Sequence, residues 1–355
     1  MRKYLIITGG AGFVGSNLIK SLLRFKKYKI ISLDNYSSGS IKNHINNSRI
    51  KYLKGETNNI NKILKKYKNN IQTIFHFGEF SRIFQSFEKF DSCFQSNTIG
   101  THEVFKFCLE NDIKLIYSAT SASLGKPSNK NLSPYAFFKA KNLELIENLK
   151  KWFALRCEVI FFYNVYGPKQ IKSGFMATVI GIFEYQFKKN LPLTVVKPGS
   201  QKRRFTHIDD TVNTCIEAWI KDNNSFYSIS HKKSYSVIDV AKLFKTKIKY
   251  IPFRKGERFA SALTNSRTSN SKSKKPLHIF RKISSETVLS AKTSKKVLFL
   301  PSFFWVIPKS SKSLLENVCD FTVSVSFFIE LLFFSINRIL FSDTIFALYP
   351  FSVSL

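Results

Sequence analysis

The stretch Thr8-Gly9-Gly10-Ala11-Gly12-Phe13-Val14-Gly15 decides the fold of this chain. It follows the apolar run at 4–7 and precedes an amphipathic stretch at 16–23. This order indicates a β-strand, a tight turn and an α-helix. The unit is typical of the first strand and helix of a nucleotide-binding sheet.

Each glycine of this stretch has a physical reason to be there. Gly9 permits a backbone conformation closed to other residues, Gly12 leaves room for a pyrophosphate, and Gly15 lets the helix approach the strand closely. Phosphates would then meet the free N–H groups of the first helical turn, which contains Phe13 and Val14. We therefore predict a dinucleotide site at this turn.

An acidic residue follows the glycine turn at the distance that such a site requires. Asp34 ends the second apolar run, 30–33, roughly twenty residues after the glycines. Its carboxylate would accept hydrogen bonds from both ribose hydroxyls and would repel a 2′-phosphate, which favours NAD over NADP. Asn35 comes next, and Glu56 follows the third predicted strand. Glu56 either holds the adenine edge or is a solvated loop residue.

Composition limits the classes of partner. The 355 residues carry a net charge of +33, but the lysines are scattered along the whole chain rather than gathered in a nucleic-acid motif. We interpret them as solvated residues that attract an anionic substrate, and expect no nucleic-acid partner. The five cysteines and six histidines form no metal-ligand pattern, and no signal peptide precedes the first strand. These features predict a cytoplasmic protein with reduced thiols and no metal site.

Short β-rich runs alternate with helix-length stretches up to about residue 165. The predicted strands are Leu5 to Thr8, Ile30 to Asp34, Ile50 to Leu53, Thr73 to Phe77, Lys114 to Ser118 and Glu158 to Phe162. Such alternation predicts the α/β class, a Rossmann-type parallel sheet with helices on both faces. Ligands bind at the C-terminal ends of such strands, so Asp34 and Asn35, Phe77 and Gly78, and Thr120 should line one crevice.

Three segments are predicted from the change in pattern. Residues 1–165 form an NAD-binding Rossmann domain, and residues 166–264 form a smaller mixed α/β lobe for the substrate. The lobe is expected to contain helices at 176–189 and 209–220 and a strand at 192–196. These two segments would close on one crevice.

The third segment, 265–355, is anomalous, because it has no glycine and is rich in serine and phenylalanine. One interpretation is a membrane anchor, but charges at Asp320, Glu330 and Arg338 leave the apolar run at 321–334 too short to span a bilayer. We therefore expect no stable membrane insertion. A second interpretation is an added interaction segment. The favoured one is a reading-frame shift near residue 265, which would leave a poorly ordered tail.

Tyr135 and Lys139 lie four residues apart in a predicted helix that runs through Leu149. This spacing puts both side chains on one helical face. A free tyrosine has a pKa of about 10 and is a poor base at neutral pH, whereas a nearby ammonium and an oxidised nicotinamide ring favour the phenolate. Lys139 can also hold the nicotinamide ribose. Thr120, at the end of a predicted strand, supplies a hydroxyl for a substrate alcohol.

Together these motifs resemble the extended short-chain dehydrogenase/reductase family, specifically its NAD-dependent nucleotide-sugar epimerases and dehydratases. The resemblance covers residues 1 to about 264 and rests on the glycine turn, Asp34 with Asn35, Thr120, Tyr135 with Lys139, and Tyr163-Asn164-Val165-Tyr166-Gly167-Pro168. It implies that Tyr135 removes the proton from a sugar hydroxyl, that Lys139 supports it, and that Thr120 hydrogen-bonds the same oxygen. NAD would take the carbon-bound hydride.

The residues after Thr120 separate reactions within the family. Dehydratases resemble Thr-Asp-Glu there, because removal of water needs an added acid and base, whereas Thr120 is followed by Ser121 and Ala122 in this chain. The resemblance is thus closest to UDP-glucose 4-epimerases, and implies 4-epimerisation of UDP-glucose or UDP-N-acetylglucosamine through a transient ketone, with tightly bound NAD.

Two alternatives to that reaction stay open. The segment 172–176 resembles heptose epimerases, whose second base is a lysine one position away from Lys172, so an ADP-heptose 6-epimerase is one alternative. The other is a catalytically impaired remnant that still binds NAD or a nucleotide sugar.

The resemblance also extends to the nucleotide end of the substrate. It implies that Asn164 contacts the sugar or its phosphate, and that Arg203 and Arg254 bind the diphosphate, for which a guanidinium fork is suited. Glu79 departs from the family pattern, because a small residue is common at its position. Relatives often dimerise through the helix that contains Tyr135, so a homodimer is expected by analogy.

Overall fold

A parallel sheet forms the centre of the computed structural model, which describes residues 2–124, 132–231 and 233–257 and the backbone of 269–272. The strands are β1 (Tyr4–Thr8), β2 (Lys29–Asp34), β3 (Ile50–Lys54), β4 (Ile71–His76), β5 (Lys114–Thr120), β6 (Cys157–Phe162), β7 (Val165–Tyr166), β8 (Leu193–Val196), β9 (Lys202–Arg203), β10 (Thr206–His207), β11 (Phe226–Ser230), β12 (Tyr235–Ser236), β13 (Ile248–Ile251) and β14 (Ser269–Lys272). The α-helices are α1 (Phe13–Leu22), α2 (Ile60–Leu64), α3 (Gln85–Glu88), α4 (Phe90–Phe94), α5 (Thr101–Glu110), α6 (Pro134–Phe153), α7 (Val179–Lys188), α8 (Ile208–Lys221) and α9 (Val237–Lys242).

The order of strands in the large sheet is β14-β11-β6-β5-β4-β1-β2-β3, and every pair in it is parallel. The chain therefore runs outward from β1 to β3 and then returns to place β4 on the other side of β1. A crevice opens at such a reversal. The predicted Rossmann-type sheet is confirmed, and each of the six predicted strands begins and ends within two residues of its prediction.

Alternating apolar residues cover both faces of the sheet. In β1, Ile6 packs into a cluster with residues of α2, α5 and α6, whereas Leu5 and Ile7 pack on the opposite face with residues of α1 and α8. Successive side chains of a strand point to opposite faces, so a continuous apolar run is what a sheet buried on both sides requires.

A smaller group of strands and helices follows β6. In it β8 pairs with β13, and α7 and α9 contribute to an apolar cluster that includes Phe183, Leu193 and Val240. The helix predicted at 176–189 begins at Val179, because Thr178 is its N-cap and accepts a hydrogen bond from the Gly181 N–H.

The chain also returns to the large sheet after residue 165. Helix α8 packs on that sheet, β11 pairs with β6, and β14 pairs with β11. The large sheet thus takes strands from all three predicted segments, while the domain boundaries at 165 and 264 remain predictions. Apart from β14, the anomalous tail, including 321–334, lies outside the described residues. Among the described residues, no helix is both long and apolar enough to cross a membrane.

A buried lysine on β5 connects helix α8 to the large sheet through an ion pair and hydrogen bonds. Lys114 Nζ lies 3.6 Å from the Glu158 carboxylate, and both side chains are 1% exposed. The same ammonium donates to the carbonyls of Ala218 (3.1 Å) and Trp219 (2.8 Å) near the end of α8, and lies 2.9 Å from the Asp222 carboxylate. Cations are favoured at helix C-termini, so one side chain satisfies both a strand carboxylate and the helix end.

Candidate active site

A cavity of about 970 Å³ opens at the C-terminal ends of the strands of the large sheet. It lies at the reversal of strand order between β1 and β4, where ligands of such sheets bind. All the residues predicted for the site line it: Gly9, Gly12, Phe13, Val14, Gly15, Asp34, Asn35, Glu56, Phe77, Gly78, Thr120, Tyr135, Lys139, Asn164, Arg203 and Arg254. The structure therefore brings together residues that are up to 245 positions apart in sequence.

Two glycines of the turn, Gly9 and Gly15, have no room for a side chain. Gly9 has φ +69°, and a Cβ there would lie 2.7 Å from the Phe77 carbonyl oxygen. A Cβ on Gly15 would lie 2.3 Å from the Gly9 oxygen. Helix α1 begins with Gly12 as its N-cap and has no side-chain cap, which leaves its first N–H groups to a ligand. This cradle fits a pyrophosphate.

Asp34 lies beside this turn and is almost fully buried. Its carboxylate accepts hydrogen bonds from the N–H groups of Ala11 (2.9 Å) and Tyr36 (2.8 Å). Burial raises the pKa of Asp34, and these backbone donors partly oppose that effect. Each carboxylate oxygen has a second lone pair, so the group can still accept from a ribose hydroxyl. Asn35 and Glu56 are exposed on the cavity wall.

Tyr135 is held at the start of α6. Pro134 is the first residue of this helix, and Ser133 caps it by accepting from the Ala136 N–H at 3.1 Å. The Tyr135 N–H donates to Ser86 Oγ at 3.2 Å. Burial raises the pKa of the Tyr135 phenol to about 12, while a hydrogen bond from the Thr120 side chain favours the phenolate. The predicted base and the Thr120 hydroxyl thus both line the cavity.

Lys139 lies one turn further along the same helix and is buried. Its ammonium donates to the Ser118 carbonyl oxygen and to the Glu79 carboxylate. Glu79 also accepts hydrogen bonds from Thr101 Oγ1 (3.0 Å) and the Tyr117 hydroxyl (3.2 Å). Sequence reasoning noted Glu79 only as a departure from the family pattern, since nothing local shows that it lies beside Lys139.

Arg82 is a second residue of the cavity that sequence reasoning missed. Its Nε donates to the Met176 carbonyl oxygen at 3.0 Å, and its Nη1 donates to the Ser81 carbonyl oxygen at 2.7 Å. The guanidinium interacts electrostatically with Tyr135. Arg82 lies three positions after Glu79 in sequence, and that spacing by itself does not indicate a place beside Tyr135.

The residues predicted for the nucleotide end lie on the far side of the cavity. Asn164 donates through Nδ2 to the Arg204 carbonyl oxygen at 3.1 Å. Arg203 forms an ion pair with Glu257, and the Arg254 guanidinium lies 5.5 Å from the centre of the Phe84 ring. A diphosphate would therefore compete with Glu257 for Arg203.

Lys172 lies away from this cavity wall, although its neighbours Ile171 and Phe175 line it. Its ammonium is 2.8 Å from the Glu184 carboxylate. The described residues contain no group of three or more histidine, cysteine, aspartate or glutamate side chains that could hold a metal ion.

The sequence model of the NAD dependent epimerase/dehydratase family matches residues 5–230 of this chain. The chain belongs to this family. An ADP-L-glycero-D-manno-heptose-6-epimerase of Brachyspira hyodysenteriae is 30% identical over 272 residues, which cover 70% of this chain and 84% of that protein. The family uses NAD, which confirms the predicted cofactor.

Solved structures of the NAD-dependent epimerase/dehydratase family share the fold. UDP-N-acetylglucosamine 4-epimerase from Methanobrevibacter ruminantium has a TM-score of 0.70 and 22% identity, and the match covers 82% of this chain and 99% of that one. UDP-glucose 4-epimerase from Thermotoga maritima also has a TM-score of 0.70 and 22% identity, with 81% and 99% covered. These matches show that the chain shares the fold of those epimerases.

Proposed function

We propose that this chain is a nucleotide-sugar 4-epimerase, acting on UDP-glucose or UDP-N-acetylglucosamine. The observation that carries the proposal is that the buried Tyr135 and Thr120 line the same cavity as the dinucleotide cradle. Ser121 and Ala122 follow Thr120, so this position lacks the added acid and base that dehydration needs. The two solved structures with the names of such 4-epimerases support the choice of substrate.

In this mechanism each side chain of the site has one task. Bound NAD would supply a reversible acceptor for the hydride of the sugar carbon. Tyr135 takes the proton from the sugar hydroxyl and later gives it back, while Thr120 holds the same oxygen by a hydrogen bond. Lys139 orients the ribose next to the nicotinamide. Rotation of the transient keto sugar within the cavity exposes its other face, which inverts the configuration.

The nucleotide end of the substrate would be held by polar and cationic side chains. Asn164 would contact the sugar or its phosphate, and Arg203 and Arg254 would bind the diphosphate. This role requires Arg203 to exchange its contact with Glu257 for a phosphate contact. A homodimer and a cytoplasmic location also stay predictions.

A substrate panel tests the proposal directly. The full chain, loaded with NAD, is incubated with UDP-glucose, UDP-N-acetylglucosamine or ADP-heptose, and the products are separated by chromatography. We expect conversion of one of the UDP sugars to its 4-epimer without net reduction of NAD. If NAD is bound but none of the three compounds is converted, the chain is instead the impaired remnant.

The ADP-heptose arm of the panel tests the second candidate. The relative from Brachyspira hyodysenteriae and the segment 172–176 favour 6-epimerisation. Against it, the Lys172 ammonium forms an ion pair with Glu184 and would have to leave that partner to serve as a second base. Conversion of ADP-heptose alone would replace our proposal with this one.

We predict that Asp34→Ala weakens NAD binding by about 10- to 100-fold, because hydrogen bonds to a charged group contribute about 1.5–3 kcal/mol. Affinity for UDP should change far less, since Asp34 lies at the adenosine end of the cofactor site. Calorimetric titration of each variant with NAD and with UDP measures both effects. Asp112→Ala is the control, because this carboxylate is exposed and lies just before the start of β5. Equal weakening of both ligands would contradict the assignment.

A further inference from the structure

The segment that follows β4 contacts helix α6, which contains Tyr135 and Lys139, through two polar side chains. Glu79 forms an ion pair with Lys139, and Ser86 Oγ accepts the Tyr135 N–H at 3.2 Å. Arg82 lies between these two contacts in sequence and lines the same cavity. The segment therefore brings one negative and one positive charge to the Tyr135 and Lys139 pair.

Glu79 compensates the charge of Lys139 at close range. The side chains of Glu79 and Lys139 are only 2% and 4% exposed, so water screens neither of them. Opposite charges in direct contact act against each other at the Tyr135 phenol. A buried lysine with its own carboxylate therefore contributes little net positive charge to that phenol.

Arg82 is different, because its partners are neutral. Its guanidinium is half-buried and donates to the carbonyl oxygens of Met176 and Ser81. It forms no ion pair with a carboxylate anywhere in residues 2–124, 132–231 and 233–257. Its positive charge acts on Tyr135 and favours the phenolate, whereas the charge of Glu79 opposes it.

The other titratable groups around Tyr135 are uncharged in the neutral range. Burial raises the pKa of Cys93 on α4 to about 12 and raises that of Tyr117 on β5 far above its ordinary value. Burial lowers the pKa of His76, which lies next to Glu79, to about 4. Within the part of the chain that the structure describes, the charges considered at the Tyr135 phenol are therefore those of Glu79, Lys139 and Arg82.

We propose that Glu79 neutralises Lys139 and that Arg82 supplies the positive charge that activates Tyr135. Glu79 and Arg82 are thus positioning residues that act through the base rather than on the substrate. The inference rests on the proposed function only in taking Tyr135 as the base.

Two variants should move the titration of Tyr135 in opposite directions. Arg82→Gln should lower the fraction of Tyr135 phenolate at a fixed pH by about tenfold, and Glu79→Gln should raise it by about tenfold, as expected for loss of one nearby charge. A double variant, Glu79→Gln with Lys139→Met, removes a neutral pair and should titrate close to the unmodified chain. General damage to the site would not produce opposite shifts.

The measurement is the ultraviolet absorbance of the phenolate as a function of pH, in the full chain saturated with NAD. Subtracting the same titration of Tyr135→Phe isolates the signal of Tyr135 from those of the other tyrosines. No substrate is present, so failure of this inference and failure of the proposed function are distinguishable. The pH profile of turnover should shift in the same directions if the chain is active.

Matched controls exist for both variants. Arg49, like Arg82, donates to backbone carbonyls, those of Leu23 at 2.6 Å and Phe25 at 3.3 Å, and Arg49→Gln should leave the titration unchanged. Glu184, paired with Lys172, is the control for Glu79. The inference is overturned if the two test variants shift Tyr135 in the same direction, or if Arg82→Gln leaves its titration unmoved and only weakens binding of UDP-glucose. If Glu79→Gln does not fold, the double variant and Arg82→Gln still decide the matter.

Discussion

We expect turnover to fall by about 10³-fold when Tyr135 is replaced by phenylalanine, because general acid–base catalysis by a positioned side chain contributes about 10²- to 10⁴-fold. The substitution removes one oxygen and leaves the ring, which packs with Cys93, Ala136 and Phe138 in a buried cluster. Thr120 remains in place but cannot take the proton at neutral pH. The reaction then has no group at this position to accept the hydroxyl proton.

NAD binding separates this loss of chemistry from a loss of structure. The Tyr135→Phe protein should retain NAD, since the glycine turn and Asp34 are untouched, and its unfolding midpoint should be near that of the unmodified chain. Tyr227→Phe is the matched control, because Tyr227 is equally buried but lies in β11 away from the cavity wall. Turnover by Tyr135→Phe at a rate within tenfold of the unmodified chain would rule out Tyr135 as the base.

The largest expected effect on stability comes from Lys114→Met. This change leaves the Glu158 carboxylate buried without its lysine, and breaking such a pair costs about 3–5 kcal/mol. The carbonyls of Ala218 and Trp219 also lose their donor at the end of α8. We expect the free energy of unfolding in denaturant to fall by that amount, with little change in the residual affinity of the folded fraction for NAD.

Two further variants test whether the loss of stability in Lys114→Met comes from the buried ion pair. Lys106→Met removes an exposed lysine 4.0 Å from Glu110 and should change the free energy of unfolding by no more than about 0.5 kcal/mol. Adding Glu158→Gln to Lys114→Met should restore part of the stability, because it removes the unpaired charge. A loss below about 1 kcal/mol for Lys114→Met would show that the pair is not needed to hold α8 on the sheet.

The sequence predicted what depends on local pattern. The apolar runs fixed the six strands to within two residues, because a strand buried on both faces shows in composition alone. The positions of Asp34, Thr120 and Tyr135 at one cavity follow from the same parallel order, which brings strand ends together. The start of α7 was harder to predict, because it is set by the N-cap Thr178 rather than by the apolar pattern.

Contacts between residues that are far apart in sequence could not be predicted from the local pattern of residues. Glu79 and Lys139 are 60 residues apart, and no periodicity relates them. Likewise, the pairing of β11 with β6 depends on how the chain re-enters the sheet after the smaller group of strands and helices. The contact of Arg203 with Glu257 and that of Lys172 with Glu184 also depend on tertiary packing. The ion pairs give Lys139, Arg203 and Lys172 partners that the sequence does not indicate.

The contacts of Lys139 limit how the site can hold a ligand. An ammonium has three N–H donors, and Lys139 already gives one to Glu79 and another to the Ser118 carbonyl oxygen. A single donor is therefore left for a cofactor hydroxyl. Lys139 can make one directional hydrogen bond to a bound dinucleotide but cannot chelate two oxygens, so any second ribose contact must come from another group in the cavity.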